Sequence, residues 1–172
     1  MKTYVGTKTI MARPMNRQEY NDYRGWELRA DEDGSDEGYL VEYVDGGQSN
    51  HPDHAGYISW SPADVFHRAY KGSGEMSFSQ ALEIIKAGGR VARSGWNGKN
   101  MFLFLVAGSK NLTVNREPLL SILGEGATFD YHAHIDMRTA DGTIVPWLCS
   151  QTDMLANDWV IVEAKAKEVA NV

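Results

Sequence analysis

One cysteine, Cys149, stands in the 172 residues. No intrachain disulfide and no cysteine-based zinc site can form from it. After Trp147 and Leu148 the thiol reads as a small buried hydrophobe, with a lone nucleophile as the rival. No run of about 18 apolar residues is present to span a bilayer. The stretch from Met1 to Pro14 lacks the apolar core and small-residue cleavage site of a signal peptide, so the expected location is cytosol and no membrane partner is expected. The Walker Gly-Lys-Ser/Thr loop, the dinucleotide-fold glycine fingerprint and the Gly-x-Ser-x-Gly elbow are all missing, which leaves the commonest enzyme classes without support. Basic residues are few: 17 Lys+Arg face 23 Asp+Glu, a formal net charge of -6. Such a chain does not cover the phosphates of duplex nucleic acid over an extended face, whereas a small anion needs only local cations. Residues 1–75 hold 8 basic and 13 acidic residues, net -5, which leaves 9 against 10, net -1, for residues 76–172. The acidity sits in the front half, and an anion site is easier to build in the back half.

What is present is 42% apolar residues, enough for one medium domain or two small ones. The Gly-Ser-Gly of "YKGSGEMSFSQ" separates two patterned regions, and a boundary near Lys71 to Glu75 divides the chain into 1–75 and 76–172. In the front part, "YVGTKTIMARPM" reads as a strand and "NRQEYNDYRGW" as a helix capped by Asn16 with Glu19 three residues on. An acidic loop, "DEDGSDEG", follows. "YLVEYVD" and "GYISW" read as strands joined by the long connection "GGQSNHPDHA". "SPADVFHRAY" has Ser61 as N-cap and Pro62 at the first helical position, which completes a β-α-β-β-α unit. In the back part, Ser77 and Gln80 suggest a capping box for a helix that ends at Gly88-Gly89 and turns Leu82 and Ile85 inward. "RVARSGW" and "MFLFLVAG" read as strands around "NGKN", and "HIDMRTADGTIVPWL" as a hairpin turning at Asp141-Gly142. A helical turn at "TDMLAND" leads into the strand "WVIVEA", and the tail "EAKAKEVANV" is short and polar. The fold class is α+β, two small domains with mainly antiparallel sheets and short helices.

Two histidine groups invite a metal reading. His132, His134 and Asp136 in "YHAHID" would share one strand face, yet no further ligand is evident, and half-buried strand residues that satisfy one another are the plainer reading. His51, Asp53 and His54 in "NHPDH" read as solvated residues of a Pro-containing loop. Neither a metal nor a cofactor is expected.

The aromatic and polar set is more informative. Trp96 ends a strand beside Arg93, Asn97 and Lys99. Trp147 follows Pro146 at a hairpin end, close to Thr152, Asp153 and Asp158. An exposed Trp at a strand end gives a base a face to stack on, Asn and Asp read base edges or ribose hydroxyls, and Arg or Lys meets a phosphate. The alternative is that each Trp is core and that Asp153 caps the helical turn.

The back half, "MSFSQALEIIKAGGRVARSGWNGKNMFLFLV" through "HIDMRTADGTIVPWLCSQTDMLANDWVIVE", closely resembles the second Thoeris anti-defence family of phages over residues 76–163. The resemblance implies a molecular sponge in the cytoplasm of an infected bacterium. Such proteins capture cyclic nucleotide alarm signals, chiefly glycocyclic ADP-ribose from Thoeris TIR enzymes, and hold them without cleavage. It implies a homotetramer with pockets between subunits, and in some members separate sites for the cyclic di- or trinucleotides of CBASS-type enzymes. Carried onto this chain, the Gly-Trp-Asn motif puts Trp96 at the ligand, and "PWL" and "TDMLANDW" make Trp147, Thr152, Asp153 and Asp158 pocket residues. Asn97 and Gly98 would let the backbone approach the ligand closely. Arg93 and Lys99 are assigned to the phosphates on charge alone. Residues 1–75 resemble a module common among phage proteins, to which no role attaches. Two rivals remain: a hydrolase of the same signals working through His132, His134 and Asp136, and a phage interaction protein whose Trp residues are oligomer core.

Overall fold

The computed structural model describes residues 1–4, 6–96 and 100–163. The "NGK" of the expected turn, with Asn97 and Lys99, lies outside the described residues, as does the polar tail beyond Glu163. The chain divides into two compact units, Met1–Lys71 and Gly72–Val172.

The N-terminal unit is an antiparallel meander in the order β1 (Ile10–Pro14), β2 (Gly38–Tyr43), β3 (Tyr57–Pro62), with α1 (Arg17–Arg24) after β1 and α2 (Ala63–Ala69) after β3. Helix α1 starts where expected. The Asn16 side chain accepts from the Glu19 N–H at 2.8 Å, and the Glu19 carboxylate accepts from the Asn16 N–H at 2.9 Å. Those two bonds satisfy donors that the first helical turn leaves open. Met15, Tyr20, Leu40 and Ile58 form the core of this unit, with Tyr23 and Trp60 packed against it. Gly38 is required where it stands, because a Cβ there would lie 2.4 Å from the Trp60 ring.

Helix α2 begins differently from the sequence reading. Ser61 is still paired with Tyr39 in the sheet, so Pro62 takes the N-cap position and no side chain caps the helix. Cross-strand pairing won over the local capping preference.

In the C-terminal unit the order is α3 (Phe78–Lys86), β4 (Val91–Arg93), β5 (Phe102–Val106), β6 (Ser109–Thr113), α4 (Leu119–Leu123), β7 (Thr128–Tyr131), β8 (His134–Arg138), β9 (Ile144–Pro146), α5 (Gln151–Met154) and β10 (Trp159–Ile161). Five strands form one antiparallel sheet in the order β10-β4-β5-β8-β9, and β6 pairs with β7 as a separate ribbon. This ribbon and α4 have no counterpart in the sequence reading. Mixed polar and apolar residues such as "SKNLT" carry no clear period, and all five of those residues are exposed.

Helix α3 has the expected capping box of Ser77 and Gln80. It packs on the sheet through Ala81 and Ile85, which join Met76, Val91, Leu103 and Trp159 in the core. Leu82, expected inward, is only half-buried. The β8–β9 hairpin turns at Gly142, whose φ of 91° suits glycine. Residues ahead of Met76 belong to this unit. The Gly74 N–H donates to the Trp159 carbonyl at 2.9 Å and the Ile161 N–H to Ser73 Oγ at 2.8 Å, so the boundary falls between Lys71 and Gly72. No described helix is long and apolar enough to cross a membrane.

Candidate ligand site around Trp159

Strands β4 and β10 pair with Trp159 opposite Arg93. Trp159 is fully buried and forms the hub of an aromatic cluster. Trp96 lies edge-on to it at 5.8 Å between ring centroids and Trp147 at 6.3 Å, while Phe78 leans on both Trp147 and Trp159. Its indole Nε1 donates to the Asp153 carbonyl at 3.2 Å, which ties the hub to α5. Trp96 and Trp147 are half-buried against this core and keep part of their surface open. Each is thus packed on one side and available on another. The two sequence readings of these residues, stacking surface and core, are not exclusive.

The polar side of the cluster is built on Arg93. Its Nη1 donates to Asp153 Oδ1 at 2.7 Å, and its Nε donates to Asp158 Oδ1. Asp158 Oδ2 also accepts from Ser94 Oγ at 3.1 Å and from the Gly95 N–H at 3.3 Å. Asp153 Oδ2 accepts from Ser150 Oγ at 2.7 Å, and the same Ser150 caps α5 by accepting from the Asp153 N–H. The Arg93 guanidinium beside Asp158 holds that carboxyl below the usual carboxylate range, and the Asp158 hydrogen bond in turn raises the Arg93 pKa. Burial, with the Asp153 charge as a second cause, pushes the Cys149 thiol up, away from a reactive thiolate.

The fold therefore brings together Arg93, Trp96, Trp147, Asp153 and Asp158 from segments up to 65 residues apart in sequence. Thr152 is exposed on α5. Sequence reasoning missed Trp159, Ser94 and Ser150. The spacing Ser150-x-x-Asp153 is a capping signal that could have found Ser150. Nothing local distinguishes Trp159 from the other tryptophans.

The histidine groups resolve separately. His134 Nδ1 donates to the His132 carbonyl, and His134 Nε2 lies 3.5 Å from Asp136 Oδ1. Among the described residues no group of three or more His, Cys, Asp or Glu is placed to hold a metal ion. His51 and His54 are not the solvated residues expected of "NHPDH", since both side chains are 14% exposed. The Asn50 amide pairs with both the N–H and the carbonyl of Ile58. That turns the loop back so that His51 stacks on Tyr23 at 4.4 Å and His54 bridges the Glu42 carboxylate at 2.7 Å and the Tyr23 hydroxyl at 3.0 Å. Asp53 alone stays exposed. A groove of about 550 Å³ in the N-terminal unit, lined in part by Glu37, Tyr39 and His67, shares no residue with the tryptophan cluster.

Residues 76–162, which contain every member of that cluster, match the Thoeris anti-defense 2-like domain. The chain belongs to that family. Thoeris anti-defense 2 of Bacillus phage SP01 is similar at 45% identity over 95 residues, which is 51% of this chain and 96% of that protein. Anti-defence on behalf of a phage is the role that membership gives the Thoeris anti-defense 2-like unit. The domain match leaves residues 1–75 uncovered.

Proposed function

We propose that this Thoeris anti-defense 2-like protein is a non-enzymatic sponge. It binds glycocyclic ADP-ribose made by Thoeris TIR enzymes, with cyclic di- or trinucleotides of CBASS-type enzymes as a second ligand class, and holds them uncleaved in the cytoplasm of the infected host. The observation that carries this reading is the pairing of two half-open indoles, Trp96 and Trp147, with two carboxylates, Asp153 and Asp158, on one rigid hub. Rings offer faces to bases at about 1 to 3 kcal/mol per stacked base. Carboxylates accept from ribose hydroxyls and exocyclic amines. Thr152 lies exposed on α5 to add a hydroxyl, and Asn97 and Lys99 are assigned to a base edge and a phosphate from the sequence motif. Capture of this kind needs affinity above that of the immune effector and no chemistry.

The working assembly is a homotetramer with pockets between subunits. Large exposed apolar side chains on the C-terminal unit are consistent with it, among them Leu148 at 92%, Leu155 at 77% and Ile122 at 69% exposure.

Native mass spectrometry of the full chain, mixed with cyclic ADP-ribose isomers and cyclic di- and trinucleotides, tests stoichiometry and assembly together. Chromatography of ligand released by heat then tests integrity. The sponge reading expects unchanged ligand and affinity that falls shallowly with salt, since few phosphates are met. A linearised or dephosphorylated product that disappears on mutating His132 or His134 makes the protein a hydrolase. Failure to bind any nucleotide leaves an interaction protein.

A further inference from the structure

We infer that Arg93 is a positioning residue: it sets Asp158 and Asp153 as acceptors for the hydroxyl- or amine-bearing end of a nucleotide, and the phosphates are met by other groups. This rests on the capture reading above and replaces the phosphate role that charge alone had suggested for Arg93. Two of the guanidinium's donor positions, Nε and Nη1, already end on carboxylates, and the side chain is only 16% exposed. One cation between two anions leaves the group at net -1, which repels a phosphate.

The acceptors are the more open partners. The Asp158 side chain is 32% exposed against 18% for Asp153. A carboxylate offers about four acceptor positions, and Asp158 uses three of them, on Arg93, Ser94 and Gly95. The remaining position lies at a segment that runs directly into Trp96, and Arg93 itself sits 5.8 Å over the Trp159 ring against which Trp96 packs. Stacking surface and acceptor are therefore held in one frame. The titratable groups around the acceptors are Arg93 on β4, Asp153 on α5 and Cys149 ahead of α5, next to Asp153. Among these titratable groups Arg93 is the one that favours the ionised form, and it does so first, with the Ser94 hydroxyl and the Gly95 N–H adding to it, so Asp158 stays an acceptor as the pH falls.

The test is titration calorimetry of the full chain with glycocyclic ADP-ribose, from neutral pH down through the ordinary carboxylate range, on wild type, Arg93→Gln, Asp158→Asn and the double variant. Each single change is expected to weaken binding about tenfold, as loss of a charged hydrogen bond does. The double variant is expected to be no weaker than the weaker single one, because Arg93 acts through the carboxylate. Arg93→Gln is also expected to lose affinity at a higher pH than wild type. Losses that multiply, an unmoved pH profile, or full rescue by Arg93→Lys would show a cation on the phosphate and overturn the inference while sparing capture. Wild type that binds at no pH defeats the capture reading and this inference with it. Should Arg93→Gln fail to fold, carboxyl carbon NMR of the wild type decides: the Asp158 resonance is expected to shift on adding ligand, and an unmoved resonance overturns the inference.

Discussion

Trp96 packs against the core, and on the proposed capture reading it also stacks on the ligand, so its replacement should register in both. Half of the ring's surroundings are core, through the edge-on contact with Trp159. Trp96→Ala should therefore cost about 2 to 3 kcal/mol of stability, less than the about 3 to 5 of a fully buried aromatic, besides about 1 to 3 kcal/mol of ligand affinity. Thermal unfolding and calorimetry per folded molecule read the two separately. Unchanged affinity at reduced stability would make Trp96 purely core. Asp141 offers a second residue-scale test. The Thr139 hydroxyl first, then the N–H and hydroxyl of Thr143, hydrogen-bond its carboxylate and hold its pKa at about 2. A carboxyl lowered on folding adds stability above its unfolded value, near 3.8, and that contribution is lost as pH falls through about 2. Asp141→Asn should accordingly lower the unfolding temperature at neutral pH, and the difference should vanish near pH 2. A difference that persists there would trace to packing of the turn.

Among the elements, the loop between β2 and β3 departs furthest from its sequence appearance. A stretch rich in Gly, Asn, Asp and His reads as solvated, but its histidines are packed by contacts to helix α1 and strand β2 that lie up to 31 residues away. Such contacts leave no local pattern. His54→Ala removes the bridge between Tyr23 and Glu42, and amide exchange across residues 44–56 should speed up about tenfold, as expected for losing one net hydrogen bond's worth of local stability. Exchange in β5 of the other unit should stay as it was. Glu42 is held below the ordinary glutamate range, first by the His54 hydrogen bond and then by the Gly56 N–H. Its contribution is present above the unfolded pKa and lost as pH falls through the lower folded value, so the same loop should loosen at acid pH in wild type and less so in His54→Ala. Equal acid sensitivity in both proteins would rule out the bridge as the cause.

For the molecule as a whole, the division between Lys71 and Gly72 makes a prediction about truncation. A chain beginning at Gly72 keeps the bonds from Gly74 to Trp159 and from Ile161 to Ser73, whereas a chain beginning at Met76 loses both. At about 1 kcal/mol net per hydrogen bond, the shorter form should be less stable by about 2 kcal/mol while both bind the same ligand. Denaturant titration compares them. Equal stability would show that residues 72–75 add nothing to β10, and loss of binding in the Gly72 form would show that the N-terminal unit supplies part of the site.

The sequence by itself was enough for the elements whose signals are local. The capping boxes at Asn16 and Ser77, the Asp141-Gly142 turn and the apolar runs read as β2 and β5 each depend on residues a few positions apart, as does the α+β class that follows from them. It also singled out Trp96, Trp147, Asp153 and Asp158, with stacking or core and base-edge reading or capping left open by the residues alone and the pocket role supplied by the family resemblance. Only the tertiary structure decided what joins them. Arg93 meets Asp158 across 65 residues and Asp153 across 60, and a free cation on paper becomes a neutralised clamp when strand pairing sets β4 beside β10. Trp159 becomes the hub, and Trp96 and Trp147 its flanks, only because burial is a property of position in the sheet. The pinned histidines escaped for the same reason, since only the folded chain brings them against Tyr23 and Glu42, whereas the β6–β7 ribbon escaped because its exposed, mixed residues carry no period.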